Sequence, residues 1–122
     1  MQIMGKASQE NPGVKGLGWF TYENVELVNK EERRSFHTGW NSIRVEEDQK
    51  LLSVSNESSF YFNHSYYVPN VEEEPESFGS TDFLESTMVS IFKHNNVMGM
   101  QFHPEKSQVE GLNILKHFAE WE

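Results

Sequence analysis

The feature that most constrains the fold of this chain is the order of patterns in its last third. Two apolar runs, residues 88–92 and 97–102, are joined by the short polar stretch 93–96. This spacing predicts a β-hairpin. The sequence Ser107-Gln108-Val109-Glu110 then fits a helix-capping box. Beyond it, apolar residues recur at helical spacing, at Leu112, Leu115, Phe118 and Ala119. We predict that this face of the helix packs back on the sheet.

The rest of the chain predicts short strands separated by polar turns. Residues 1–18 favour the end of a helix followed by a loop, because Asn11-Pro12-Gly13 is a strong breaker. Aromatic or alternating stretches typical of strands occupy residues 17–22, 25–28, 40–45 and 60–67. At 122 residues, the chain has the length of one domain.

Composition excludes several classes of function. A formal net charge of −9 argues against nucleic acid and against an anionic membrane surface, since no basic patch would release counterions. No apolar run is long enough for a membrane span, and no signal peptide is visible. The chain has no cysteine, so we expect no disulfide and a cytoplasmic location. Only 36% of residues are hydrophobic, which predicts a thin core.

His103 and Glu105 form the leading candidate site. They lie two residues apart after an apolar run, and on an extended strand end such residues point the same way. Pro104 fixes the backbone between them. A base and an orienting carboxylate could then activate a nucleophile. The alternative is a strand-end histidine oriented by its neighbour for structural reasons.

The other histidines have weaker functional interpretations. His64 and Ser65 are adjacent and face opposite sides of a strand, and no Gly-x-Ser-x-Gly turn accompanies them, so serine hydrolysis is disfavoured. Trp40 suits either an interface or a core. No histidine pair has metal-ligand spacing with a third ligand nearby, so we expect no metal site. The five histidines are His37, His64, His94, His103 and His117.

Four segments, taken together and in order, resemble the class I (triad) glutamine amidotransferases. Within that family they resemble the HisH-type subunit of imidazole glycerol phosphate synthase, over essentially the whole chain. The segments are Gly16-Leu17-Gly18-Trp19, His37-Thr38-Gly39-Trp40-Asn41, Tyr61-Phe62-Asn63-His64-Ser65-Tyr66, and Gln101-Phe102-His103-Pro104-Glu105-Lys106-Ser107 with Gly111-Leu112.

The resemblance implies an α/β fold, a mixed sheet with flanking helices, of which residues 1–122 would be the C-terminal portion. In the family, a cysteine on a Gly-x-Cys-x-Gly turn is followed by Met-Gln, and this chain begins Met1-Gln2. We therefore expect the cysteine and the loop of the oxyanion hole to lie outside this partial domain. On its own the chain is expected to be inactive as a glutaminase, and poorly stable or self-associating.

The resemblance also implies a role for each matching residue. His103 would be the general base and Glu105 would orient it. The glutamine site would be formed by Gln2, Glu10, His64, Ser65 and Tyr66. The face towards a HisF-like cyclase (synthase) subunit would be formed by Trp40, Asn41 and Lys106. The reaction would be hydrolysis of the glutamine side-chain amide, with no cofactor, and the ammonia would pass to the partner.

Two departures leave the ammonia acceptor open. Phe36 stands where the family usually has proline, and Asn63 stands where it usually has an apolar residue. Relatives of this subunit serve sugar amidation in surface-glycan pathways, which is one alternative. A non-catalytic remnant that binds a synthase-like partner is another.

Overall fold

The structure is a computed structural model that describes residues 1–45, 54–56, 58–69 and 77–121, without the side chains of residues 77 and 78. Its strands are β1 (Ala7–Ser8), β2 (Glu23–Glu26), β3 (His37–Ser42), β4 (Arg44–Val45), β5 (Ser59–His64), β6 (Tyr66–Pro69), β7 (Ser77–Phe83), β8 (Ser86–His94) and β9 (Val97–Met100). The α-helix is α1 (Gln108–Ala119), and 3₁₀ turns span Gln2–Met4 and Pro104–Lys106.

Most of the described strands belong to one mixed sheet. Within the described ranges it has seven strands in the order β1-β2-β6-β8-β7-β4, and β9 pairs with β8 on the edge that β8 also shares with β6. Only β1 and β2 run parallel; the other pairs are antiparallel. A separate ribbon of β3 and β5 completes the strands. The α/β prediction of a mixed sheet with a helix is confirmed.

The predicted C-terminal hairpin is also confirmed. β8 and β9 are joined by Asn95 and Asn96, and His94 pairs with Val97. Asn95 has a φ of 51°, and asparagine tolerates this left-handed conformation better than most residues. The strand β7, which pairs with β8 from Ser86 to Lys93 except at Ser90, was not predicted, because polar residues interrupt its apolar pattern.

A β-bulge at Ser90 determines which side chains of β8 face each half of the core. Ser90 has no residue opposite it, because Val89 pairs with Ser80 while Ile91 pairs with Gly79. One extra residue reverses the alternation of side chains along the strand. Val89 and Ile91 therefore enter different hydrophobic clusters.

The described residues form two hydrophobic clusters, and the larger one supports the chain that follows β9. This larger cluster draws on the ribbon, the sheet and α1; its buried members are Ile43, Val45, Val54, Phe60, Phe62, Ile91, Met98, Phe102 and Ile114. The smaller cluster contains Phe20, Tyr22, Val68, Val89 and Phe92. Phe60 stacks on Phe102 with ring centroids 4.2 Å apart, and Phe102 immediately precedes His103. The candidate histidine is thus attached to the largest packed unit.

The prediction for the buried face of α1 was wrong. Leu112 is 61% exposed and Phe118 is 46% exposed, whereas Gly111 and Ile114 are buried. A Cβ at Gly111 would lie 1.9 Å from the Pro104 carbonyl oxygen. Glycine therefore lets the helix approach the 3₁₀ turn after His103, and this contact sets the rotation of the helix. The spacing of apolar residues alone cannot predict a contact made by glycine.

Three of the predicted strands also require correction. The stretch 40–45 is divided between β3, which pairs with β5 in the ribbon, and β4, which pairs with β7 in the large sheet. Residues 17–22 form no strand: Trp19 is 58% exposed, and only Phe20 and Tyr22 of this stretch are buried. The stretch 60–67 is not one strand but two, because the chain bends at Ser65. There it leaves the ribbon as β5 and enters the large sheet as β6. No helix in the described part of the chain is long and apolar enough to cross a membrane.

Candidate active site

His103 and Glu105 form a hydrogen-bonded pair after β9, and Glu105 lies in the 3₁₀ turn Pro104–Lys106 rather than on the extended strand end that was predicted. Nδ1 of His103 lies 2.8 Å from Oε1 of Glu105, and the backbone N–H of His103 donates to the Tyr61 carbonyl at 2.9 Å. The ionised Glu105 carboxylate can only accept, and its hydrogen bond with His103 is the main cause that lowers the pKa of the Glu105 carboxyl. Nδ1 then carries the proton, and Nε2 of a neutral His103 has a lone pair available as a base. The side chain of His103 is 37% exposed, so a reactant can approach it.

Ser107 holds this turn against β5. Its hydroxyl donates to the His103 carbonyl at 2.6 Å and accepts from the backbone N–H of Tyr61 at 2.9 Å. The side chain makes no capping hydrogen bond to α1, so the predicted capping box was wrong. The hydroxyl is used for tertiary contacts because Ser107 is 1% exposed and faces the ribbon.

We expect Ser107→Ala to lower the free energy of unfolding by about 1–3 kcal/mol, because it removes the acceptor of the part-buried Tyr61 N–H and the donor to the His103 carbonyl. Urea denaturation measures the loss. Ser59→Ala on β5 is the matched control: Ser59 is exposed, and the change is expected within about 0.5 kcal/mol of wild type. Equal effects of the two substitutions would contradict the role given to Ser107.

The structure brings two of the predicted partner-face residues together around Tyr61. Nζ of Lys106 lies 5.9 Å from the centroid of the Tyr61 ring, and the Trp40 ring packs edge-on against it at 6.0 Å. Trp40 is 51% exposed. Asn41 is different, because its amide hydrogen-bonds within the chain, to His37, the Asp82 carbonyl and the backbone N–H of Ser42.

Gln2 and Glu10 line one cavity of about 400 Å³. Asn24 also lines it and is 1% exposed; its amide nitrogen donates to the Gln2 and Ala7 carbonyls. Neither His103 nor Glu105 is among the lining residues. Gln2 and Glu10 therefore share a cavity that the predicted base does not line.

His64 and Tyr66 reach Gln2 through one backbone carbonyl. The backbone carbonyl oxygen of Tyr66 lies 2.9 Å from Nδ1 of His64 and accepts from Nε2 of Gln2 at 2.7 Å. The Tyr66 ring is buried, and its hydroxyl accepts from Arg34 and donates to Glu26. Ser65 forms the bend between β5 and β6. The predicted segment thus meets Gln2 through His64 and the main chain rather than through the phenol of Tyr66.

The functional interpretation of the sequence missed His37. Its ring lies between Phe62 and Phe83, with centroids 4.4 and 4.1 Å away and nearly parallel planes. Burial lowers the pKa of His37 to about 4, so the ring is neutral at pH 7. The pairing of His37 with His64 across β3 and β5 is the signal that a strand alignment could have supplied.

The chain was compared with protein families and curated proteins. The family described as "Glutamine amidotransferase class-I" matches residues 1–121. Imidazole glycerol phosphate synthase subunit HisH of Pyrococcus furiosus is 39% identical over 97% of this chain and 59% of its own length. The HisH subunit of Methanosarcina acetivorans is 43% identical over 98% and 58%, and HisH 2 of Pseudomonas aeruginosa is 35% identical over 98% and 58%. The chain thus spans less than two thirds of these relatives. It belongs to the class-I glutamine amidotransferase family.

Proposed function

We propose that this chain supplies the general base and the glutamine-contacting residues of a glutaminase. The ammonia would serve an imidazole glycerol phosphate synthase, acting with a HisF-like cyclase subunit in the cytoplasm. The observation that carries the proposal is the 2.8 Å contact between Nδ1 of His103 and Glu105, which leaves Nε2 as a base. The names of the similar HisH proteins support the choice of synthase.

The proposed reaction requires a thiol that these 122 residues do not contain. Nε2 of His103 takes the proton of a cysteine thiol, and the thiolate attacks the side-chain amide carbon of glutamine. The C–N bond breaks as His103 returns the proton to the leaving nitrogen, which gives ammonia and a thioester. Water then cleaves the thioester to glutamate, again with His103 as base. Glu105 stabilises the imidazolium formed in each half of the reaction.

Each remaining residue has a place in this scheme. Gln2 and Glu10 contact glutamine in their shared cavity. His64, Ser65 and Tyr66, which do not line that cavity, bind glutamine from the side of β5 and β6. Trp40, Asn41 and Lys106 belong to the face on which the cyclase docks. A purely partner-binding module would have no need of the hydrogen-bonded pair at His103 and Glu105.

The test is to combine the chain with a cysteine-bearing N-terminal segment of a class I glutamine amidotransferase and to measure glutamate and ammonia. We expect the two products in equal amounts from the combination and none from the chain alone. Reading the coding DNA before the Met1 codon shows whether that segment is encoded in frame. Glutamate release by the chain alone, or none from a combination that forms a stable complex, would contradict the proposal.

A further inference from the structure

A line of hydrogen bonds links Asn41 to the carbonyl that holds Gln2. Nδ2 of Asn41 lies 3.2 Å from Nε2 of His37. Nδ1 of His37 lies 3.1 Å from Nε2 of His64, and Nδ1 of His64 lies 2.9 Å from the backbone carbonyl oxygen of Tyr66. Gln2 donates to that same oxygen.

Donor and acceptor chemistry gives this line a single direction when both rings are neutral. A carbonyl can only accept, so Nδ1 of His64 must carry a proton and its Nε2 must accept. His37 must then donate from Nδ1 and accept at Nε2. The amide NH₂ of Asn41 can only donate, and it faces that Nε2. Both rings are therefore held as the Nδ1–H tautomer.

Among the described residues, the groups that cover His37 do not set its tautomer. His37 is 2% exposed and is covered on both faces by Phe62 and Phe83, which offer no conventional donor or acceptor. The orientation of Asn41 is fixed independently, because its Oδ1 accepts from the Ser42 N–H at 2.9 Å and its Nδ2 also donates to the Asp82 carbonyl at 3.2 Å. The direction of the line is thus determined at its Asn41 end.

The far end of the line controls how Gln2 presents itself to the cavity. The amide nitrogen of Gln2 donates to the Tyr66 oxygen at 2.7 Å and to Oε1 of Gln101 at 3.4 Å. Its two N–H groups are therefore used within the protein. The carbonyl oxygen of Gln2 is the side-chain atom suited to accept from an N–H group of a ligand.

We propose that His37 is a positioning residue: with Asn41 it holds His64 as the Nδ1–H tautomer, and through the Tyr66 carbonyl this fixes Gln2 for the substrate. The tautomer assignment stands on the hydrogen bonds alone. The effect on substrate rests on the proposed function, because it assumes that Gln2 contacts glutamine.

Nitrogen NMR of the histidine rings tests the tautomers in the chain itself. In wild type we expect Nδ1 protonated and Nε2 unprotonated at both His37 and His64. Asn41→Asp replaces the donor with an acceptor, so Nε2 of His37 must become protonated. Asn63→Asp is the matched control: Asn63 is exposed on the neighbouring strand and accepts from Thr38 through Oδ1, so the new carboxylate keeps that bond and adds the same charge.

Protonated Nε2 on His64 in wild type would overturn the proposal, as would an unchanged His37 in Asn41→Asp. Spectra typical of free histidine at both rings, as an unfolded chain would give, would also overturn it. None of these ring-nitrogen measurements depends on catalysis. They therefore test the tautomers even if the combined protein proves not to be a glutaminase.

His37→Phe tests the positioning role in the combined enzyme, since phenylalanine keeps an aromatic ring between Phe62 and Phe83 and removes the ring nitrogens. We expect KM for glutamine to rise by about 5- to 10-fold, which corresponds to the binding free energy of about one hydrogen bond. We expect kcat to change less than about twofold. The His64 ring should keep Nδ1–H, because the Tyr66 carbonyl still accepts from it, and its Nε2 signal should shift, because that nitrogen loses its hydrogen-bond donor. An unchanged KM, or a loss confined to kcat, would overturn the role given to His37.

Discussion

His103→Gln is expected to lower the rate of glutamine hydrolysis by the combined protein by about 10⁴-fold or more. Without a base the cysteine stays largely a thiol near pH 7, and nothing returns a proton to the departing nitrogen. Removal of the histidine from a nucleophile–histidine–carboxylate site costs about as much as removal of the whole set. The measurement is glutamate release under saturating glutamine.

Three controls distinguish base catalysis from damage to the fold. Glu105→Gln keeps an acceptor for Nδ1 of His103 and removes only the charge; because Glu105 is 57% exposed, we expect a smaller loss of about 10- to 100-fold. His117→Gln makes the same chemical change on α1, away from the site, and should leave the rate unaltered. Residual activity of His103→Gln above about a tenth of wild type would refute the role of His103. The role of His103 would also be refuted if the His103→Gln chain failed to form the complex while the Ser107→Ala chain formed it, because His103 would then be needed for folding rather than as a base.

The parts of the site that the sequence predicted depend on short-range geometry. The pair at His103 and Glu105 needs only an extended residue, a proline and a carboxylate two positions on, so spacing along the chain is enough to predict the contact. The hairpin of β8 and β9 is equally local. The placement of Gln2 next to Tyr66 was reached only through a family resemblance, because the two residues are 64 positions apart.

What the sequence did not predict depends on contacts between distant segments. The rotation of α1 follows from the absence of a side chain at Gly111, which a count of apolar residues ignores. The bulge at Ser90 follows from the pairing of β7 with β8, and the polar sequence of β7 hides that strand. Predicting the pairing of His37 with His64 requires the register between β3 and β5. Without that register, the sequence shows His37 only as a single histidine with no identified partner.

The second large effect concerns acid stability. Burial lowers the pKa of His37 and of His64 to about 4, from an ordinary value of 6.5; for His64, the nearby His37 and His103 rings add to this. Between these values the unfolded chain binds protons at both rings and the folded chain binds neither. Stability is therefore complete above pH 6.5, falls as the pH drops below it, and stops falling near pH 4.

From pH 7 to pH 5 we expect the free energy of unfolding to fall by about 3–4 kcal/mol, roughly half from each ring. That is a large fraction of the 5–15 kcal/mol typical of a domain. The Glu105 and Asp82 carboxyls contribute little in this range, because their pKa values are lowered. Urea denaturation at pH 7, 6 and 5 measures the slope.

His37→Phe separates the imidazole contribution from every other titrating group. It removes one of the two rings that take up a proton on unfolding, and it also removes the repulsion that His37 exerts on the protonated form of His64. The fall between pH 7 and pH 5 should therefore shrink to at most half of the wild-type value, about 2 kcal/mol or less. Comparing slopes rather than absolute stabilities makes the result independent of any change in packing between Phe62 and Phe83. Equal slopes for wild type and His37→Phe would mean that the buried pair does not stay neutral in the folded chain, and the directed line of hydrogen bonds from Asn41 would fail with it.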